Sequence, residues 1–187
     1  MCEDCPAGTF SEATGVVSHE DCENCPAGTF MDETGSSSRE LCKKCGAGKY
    51  STISGAPMEL GFCLNCPAGT FSGKTGVAHP DACEDCPLGT YNTKPGSVSV
   101  EACDLCAPGS FSNTTGQNAP CAQQCPAGTF SDRAGLTTAA QCQPCPVGQF
   151  GAGRGLTVCT DCPVAHFNDQ TTVSYTHLRA HETIPDL

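Results

Sequence analysis

The large apolar positions of this 187-residue chain recur about every 20 residues. An aromatic side chain occupies each of them: Phe10, Phe30, Tyr50, Phe71, Tyr91, Phe111, Phe130 and Phe150. A typical unit reads Cys-Pro-x-Gly-x-aromatic, as in Cys5–Phe10, and a second glycine follows, as at Gly15. This repeat predicts a tight turn between two short strands at the second glycine, and it leaves no room for a long helix. We expect each aromatic to pack against a disulfide and to form most of a miniature core.

Composition excludes a single large core. Leu, Ile, Val and Phe together supply only 28 residues, there is no Trp, and the formal net charge is −11. Such a composition is typical of disordered chains, but 18 cysteines place this one among disulfide scaffolds. A conventional enzyme of this length needs more apolar residues for its core and its pocket. We therefore expect no catalytic residues and no enzymatic activity.

The charge pattern narrows the partners. Nine Lys and Arg face 20 Asp and Glu, and Lys43-Lys44 is the only adjacent basic pair, so a nucleic-acid partner is not expected. No apolar run approaches the roughly 20 residues that span a bilayer, so this segment is not expected to insert into a membrane.

The chain opens directly on Met1-Cys2 without a visible export signal. Together with its cysteines, this suggests a piece of a larger protein, truncated at both ends of the repeat array.

The cysteines form nine close pairs, eight of them C-x2-C and one, Cys121/Cys125, C-x3-C. If the second cysteine of each pair bonds the first of the next, every unit closes one loop, worth about 3 kcal/mol in the loop-entropy model. The disulfides of this hypothesis are Cys5–Cys22, Cys25–Cys42, Cys45–Cys63, Cys66–Cys83, Cys86–Cys103, Cys106–Cys121, Cys125–Cys142 and Cys145–Cys159. Cys2 and Cys162 are then left unpaired at the ends. Sequence alone does not prove this connectivity.

Zinc is the main chemical alternative, because two C-x2-C pairs about 16 residues apart also fit a zinc-ribbon spacing. Nine pairs cannot be divided into four-cysteine sites without a remainder, and all the intervening segments share one pattern. A chain with few cations also does little to offset the charge of four thiolates. Redox catalysis is less favoured still, since it needs one C-x2-C at a helix N-terminus. We expect neither a metal nor a cofactor, and keep an intracellular zinc array as an alternative.

The run Cys-Pro-Ala-Gly-Thr-Phe-Ser…Thr-Gly…Cys-x-x-Cys resembles the ephrin-receptor-like cysteine-rich repeat, a relative of growth-factor-receptor and TNF-receptor modules. The resemblance covers residues 1 to about 167 and is strongest at 5–15 and 25–35. It implies an extracellular or cell-surface location, disulfides and protein partners. It does not imply a kinase, and no kinase motif is present.

The pattern weakens at the C-terminal end of the chain. The ninth unit has Ala165 and Thr172 where its two glycines belong, so residues 168–172 are a degenerate end of the last repeat. Residues 173–183 resemble one translation frame of a common transposase-type sequencing adapter. We therefore expect residues 173–187 not to be native and exclude them from the functional argument.

Few other residues indicate chemistry. Asn113-Thr114-Thr115 is an N-glycosylation sequon in a predicted loop. The acidic runs at 20–23 and 81–85 are interpreted as solvated surface in preference to calcium sites, since no calcium-loop motif accompanies them. His19, His79 and His166 are expected to be exposed polar residues.

The sequence thus predicts a small disulfide-rich fold, an elongated tandem array of β-hairpin and loop modules of about 20 residues, with little or no helix and a tiny core in each repeat. The predicted role is that of a non-enzymatic spacer, stalk or protein-interaction rod in a larger secreted or surface protein. A fragment of a ligand-binding receptor ectodomain is the alternative within the same class. Each repeat is expected to touch mainly its neighbours.

Overall fold

A computed structural model describes residues 3–164, 166–167 and 179–180. The chain forms two compact units, one comprising Met1–Cys86 and Asn92–Cys103, the other Pro87–Tyr91 and Asp104–Leu187. Both are built from one module, which we number 1 to 8 from the second cysteine of a pair to the first cysteine of the next. Module 1 thus spans residues 5–22 and module 8 spans residues 145–159.

Each module forms one antiparallel hairpin of two-residue strands together with the residues that follow its last cysteine. In the first unit the strands are β1 (Thr9–Phe10), β2 (Glu23–Asn24), β3 (Thr29–Phe30), β4 (Lys43–Lys44), β5 (Lys49–Tyr50), β6 (Leu64–Asn65), β7 (Thr70–Phe71) and β8 (Glu84–Asp85). In the second they are β9 (Thr90–Tyr91), β10 (Asp104–Leu105), β11 (Ser110–Phe111), β12 (Gln123–Gln124), β13 (Thr129–Phe130), β14 (Gln143–Pro144), β15 (Gln149–Phe150) and β16 (Thr160–Asp161). Consecutive strands pair, β1 with β2 and so on to β15 with β16. A ninth pair joins β17 (His166–Phe167) to β18 (Arg179–Ala180).

The hairpin register follows from the cysteine spacing. In module 1, Phe10 pairs with Glu23 and Thr9 with Asn24, so the two residues inside a C-x2-C pair form the second strand. The expected tight turn between the strands is not found, because twelve residues separate the two strands and the disulfide brings them together. The second glycine, Gly15 in this module, lies within that long connection.

Short 3-10 turns complete five of the modules just before the first cysteine of the next pair. They are η1 (His19–Asp21), η2 (Arg39–Leu41), η3 (Pro80–Ala82), η4 (Val100–Ala102) and η5 (Ala139–Gln141). A side-chain cap starts the first of them: Ser18 Oγ accepts a hydrogen bond from the Glu20 amide at 3.2 Å. The described residues contain no α-helix, and the predicted fold class of disulfide-linked hairpin modules in tandem is confirmed.

Cystine sulfur occupies the centre of this fold. Eight disulfides connect sixteen of the cysteines in the described part of the chain, with Cα–Cα distances between 5.4 and 6.0 Å. The second cysteines Cys25, Cys45, Cys66, Cys86, Cys106, Cys125 and Cys145 are fully buried. Since few aliphatic side chains are available, the disulfides supply much of the buried apolar surface.

Candidate functional site: the seam between modules

Three backbone hydrogen bonds join module 1 to module 2, and we call this ladder the seam. The bonds run from Gly8 N to Met31 O at 2.8 Å, from Ser11 N to Ser36 O at 3.0 Å and from Gly35 N to Cys5 O at 2.8 Å. Backbone groups bury without penalty only when they are paired. The seam therefore fixes one orientation of each module against the next.

The same ladder recurs in both units with little change in geometry. Between modules 2 and 3 the bonds are Gly28 N to Ser51 O at 2.8 Å, Met31 N to Ala56 O at 2.9 Å and Gly55 N to Cys25 O at 2.8 Å. Between modules 7 and 8 they are Gly128 N to Gly151 O, Ser131 N to Leu156 O and Gly155 N to Cys125 O, each at 2.9 Å. At each of the three junctions described above, only the two residues inside a cysteine pair separate successive disulfides, and those residues form a strand. A flexible linker between these modules is thus absent.

The aromatic side chains pack across the seam. Phe10 of module 1 is 3% exposed and lies in a cluster with Cys25, Cys42 and Met31 of module 2. Phe30 likewise lies with Cys45 and Cys63 of module 3. The expectation that each aromatic packs against a disulfide is met in these clusters, but the disulfide belongs to the following module. The small core is consequently shared between consecutive modules.

Sequence reasoning missed the residue that follows the second glycine. Ala56 is fully buried, and Val77 and Leu136 are nearly so. Their backbones form isolated parallel bridges with the aromatic of the preceding module, as between Phe30 and Ala56. The sequence did contain a signal for this burial, because an apolar residue directly follows the second glycine in several units.

A second set of contacts reaches beyond the neighbouring module. Gly8 of module 1 approaches Gly55 of module 3 so closely that a Cβ on Gly8 would overlap the Gly55 carbonyl oxygen. Gly109 of module 6 has the same relationship to Gly155 of module 8. The expectation that each module touches mainly its immediate neighbours is therefore incomplete. The first glycine permits this approach because it has no side chain.

Ion pairs cross individual hairpins on the exposed surface. Lys43 Nζ lies 2.6 Å from Asp32 Oδ1 and 3.3 Å from Glu33 Oε1. The hydrogen bond from Lys43 lowers the pKa of the Asp32 carboxyl. The hydrogen bonds to Asp32 and Glu33 raise the pKa of the Lys43 ammonium. Because these groups are solvated, the ion pairs contribute little to the stability of the fold.

The remaining predicted site residues are Cys2, Cys162 and Asn113. Cys162 is half-buried and not disulfide-bonded, whereas Cys2 falls outside the described residues. Asn113 lies on the exposed surface of module 6.

The histidines and the acidic runs are also accounted for by local structure. His19, His79 and His166 are exposed, and the neighbouring Asp21 Oδ2 accepts a hydrogen bond from the Ser18 amide at 3.1 Å as part of a helix cap. Among residues 3–164 and the two short described segments that follow, no group of three or more His, Cys, Asp or Glu side chains is arranged to hold a metal ion. Nor does any helix in that part of the chain have the length and apolarity to cross a membrane.

The cysteine-rich modules with their Cys-Pro-x-Gly-x-aromatic motif match a known family. Residues 1–42 and 55–103 match the family model described as tyrosine-protein kinase ephrin type A/B receptor-like. The modules in these two ranges are ephrin-receptor-like repeats. The resemblance drawn from the motif is confirmed over these two ranges. The residues between them include Gly46, which replaces the usual proline. A comparison with curated proteins found no match.

Ephrin-receptor-like repeats are modules of a receptor-ectodomain type and not a catalytic domain. Their disulfides and their family point to an extracellular cysteine-rich region and to protein binding as the general class of role.

Proposed function

We propose that this chain is a non-enzymatic extracellular repeat region that acts as a spacer or protein-interaction rod of a larger secreted or cell-surface protein. The eight disulfides would hold it together in the oxidising environment outside the cell. The observation that carries the proposal is the seam, in which backbone hydrogen bonds and a shared core replace a linker. A spacer needs a defined separation between its ends, and modules fixed in one register provide it within each unit.

The exposed apolar side chains do not favour a dedicated ligand site. Val17, Leu60 and Val158 are among the most exposed of them, and they belong to modules 1, 3 and 8. Single apolar side chains are ordinary on protein surfaces, whereas a binding site usually presents a contiguous patch. The spacer role is therefore favoured over that of a ligand-binding receptor fragment.

A distance measurement within the first unit tests the spacer role. Two non-natural amino acids at Val17 and Thr93, both exposed, would carry probes without using cysteine chemistry. We expect one narrow distance distribution in the oxidised chain, and a broad one after reduction of the disulfides. A broad distribution in the oxidised chain would contradict the proposal, because it would indicate flexible joints between modules.

A further inference from the structure

We propose that Asn113 carries an N-linked oligosaccharide and that module 6 is built to present it. This inference rests on the proposed extracellular role, since the modifying enzyme acts in the secretory pathway. Asn113-Thr114-Thr115 satisfies the acceptor requirement of asparagine, any residue except proline, and threonine. Three structural observations support the assignment.

The first observation is how the Asn113 side chain is held. Gln123 Nε2 donates a hydrogen bond to Asn113 Oδ1 at 2.9 Å, and Gln123 Oε1 accepts one from the backbone N–H of Asn113 at 3.2 Å. Both bonds avoid Nδ2, the atom to which a sugar is attached. N-glycosylation leaves Oδ1 as a carbonyl oxygen, so the contact with Gln123 survives the modification. The hairpin thus fixes the side chain through one atom and leaves the other for the glycan.

The second observation is that this position faces outward in other modules too. Asp32 is the second residue after its aromatic in module 2, as Asn113 is in module 6, and it pairs with Lys43 in the manner of Asn113 with Gln123. Both side chains are solvent-exposed. A bulky hydrophilic group attached at this position would extend into solvent and not toward the seam.

The third observation is the contrast with Asn92, which follows its aromatic directly. Asn92 is 2% exposed, its Nδ2 donates to Ser97 Oγ at 2.7 Å, and its Oδ1 accepts from the Lys94 amide at 2.9 Å. Successive side chains of an extended segment point to opposite faces, which explains why a shift of one residue exchanges burial for exposure. Asn92 lacks a sequon, and its position could not accommodate a glycan.

The transfer is a substitution at an anomeric carbon. Asn113 Nδ2 attacks the first sugar of a lipid-linked oligosaccharide supplied by the host, and the nitrogen–carbon bond forms. The bond from that carbon to the pyrophosphate oxygen breaks, and the lipid pyrophosphate leaves with its electron pair. Nδ2 gives up one proton, which passes to solvent.

The test uses the full chain behind a leader peptide in a eukaryotic secretory host. Intact mass and peptide maps are recorded on total cell material and on the medium, before and after peptide N-glycosidase treatment, which converts the carrying Asn to Asp. We expect the majority of chains to carry a glycan at Asn113 and to retain their disulfides. Asn113→Gln and Thr115→Ala should abolish the glycan, while Thr115→Ser should retain it.

A matched control places a sequon at the buried position. Lys94→Thr in the Asn113→Gln background gives Asn92 the threonine that the acceptor rule requires two residues further along the chain. We expect chains glycosylated at Asn92 to fail disulfide formation and to be retained in the cell, unlike chains glycosylated at Asn113.

The outcomes separate this inference from the proposed function. A secreted, fully oxidised chain that is unmodified at Asn113 overturns the glycan and leaves the spacer role intact. Glycosylation at Asn113 that blocks disulfide formation as severely as glycosylation at Asn92 overturns the claim that module 6 presents it. A chain glycosylated at Asn113 that is correctly oxidised but flexible between modules supports the glycan and contradicts the spacer.

Discussion

Gly28 of module 2 lies so close to Gly76 of module 4 that a Cβ on Gly28 would overlap the Gly76 carbonyl oxygen. Gly28 also has a φ of +83°, a conformation that costs other residues free energy. The two features together mean that glycine is required here both by the turn and by the approach of a second-neighbour module. Stability should therefore depend on contacts that skip one module, unlike the nearest-neighbour behaviour of many repeat proteins.

Gly28→Ala should lower the free energy of unfolding in two ways. The positive φ costs an alanine about 1–2 kcal/mol, and overlap with Gly76 adds about 1–3 kcal/mol of overpacking. Denaturant unfolding of the oxidised chain, followed by the midpoint and slope, measures the sum.

Two other glycines separate these contributions. Gly15 has a φ of +77° but open space around its Cβ position, so Gly15→Ala should show only the conformational cost. Gly46 has neither feature, and Gly46→Ala should change stability by less than about 0.5 kcal/mol. Equal destabilisation by Gly28→Ala and Gly15→Ala would show that the contact with module 4 is unimportant.

Phe10→Ala should expose the disulfide of the next module. Truncation of a buried phenylalanine typically costs about 3–5 kcal/mol, and here it opens the cluster that contains Cys25 and Cys42. We expect faster reduction of Cys25–Cys42 by a small thiol, measured by timed alkylation and peptide mapping. Val17→Ala, at a site that is 93% exposed, should leave that rate unchanged. Acceleration confined to Cys5–Cys22 would argue that the core belongs to one module alone.

The hydrogen bond between Lys43 and Asp32 should be visible in the titration of the carboxyl. Because the folded pKa of Asp32 is lowered, the pair's contribution to stability is present above the pKa of Asp32 in the unfolded chain and is lost as the pH falls through the folded value. Carbon NMR of the Asp32 side chain should report a lowered pKa that rises toward the ordinary range in Lys43→Met. An unchanged titration in that variant would show that Lys43 does not pair with Asp32 in solution.

Deletion of residues 25–44 removes one full module and its strand while keeping the register of the array. The new junction reads Cys22-Glu23-Asn24-Cys45, which restores a C-x2-C pair. We expect a folded chain with one disulfide fewer, because the seam residues of module 3 can take the place of those of module 2. Deletion of residues 25–34 is the control, since it leaves Cys42 without its partner and should prevent native folding. Failure of both deletions would contradict interchangeable modules.

The repeat period, the module boundaries and the hairpin character could be predicted from sequence, because cysteine, proline and glycine act locally on the backbone. The side chains that pack against Phe10 could not be predicted, because the repeat period defines a module but not how that module is oriented against the next. For the same reason the burial of Ala56, which depends on the seam, could not be predicted. The close approach of Gly28 to Gly76 was also not predictable, as a glycine in a turn and a glycine in a contact look alike in one sequence.

The disulfide framework is the central claim, and one experiment tests it most directly. The full chain is produced in a secretory host and in a reducing cytosol, and free thiols, intact mass, metal content and disulfide-linked peptides are measured for both. The account predicts that the secreted chain contains eight disulfides, each linking the second cysteine of one pair to the first of the next, as in Cys5–Cys22. It also predicts that this chain carries no zinc and unfolds on reduction. A folded, reduced chain with stoichiometric zinc, or disulfides closed within each C-x2-C pair, would contradict it.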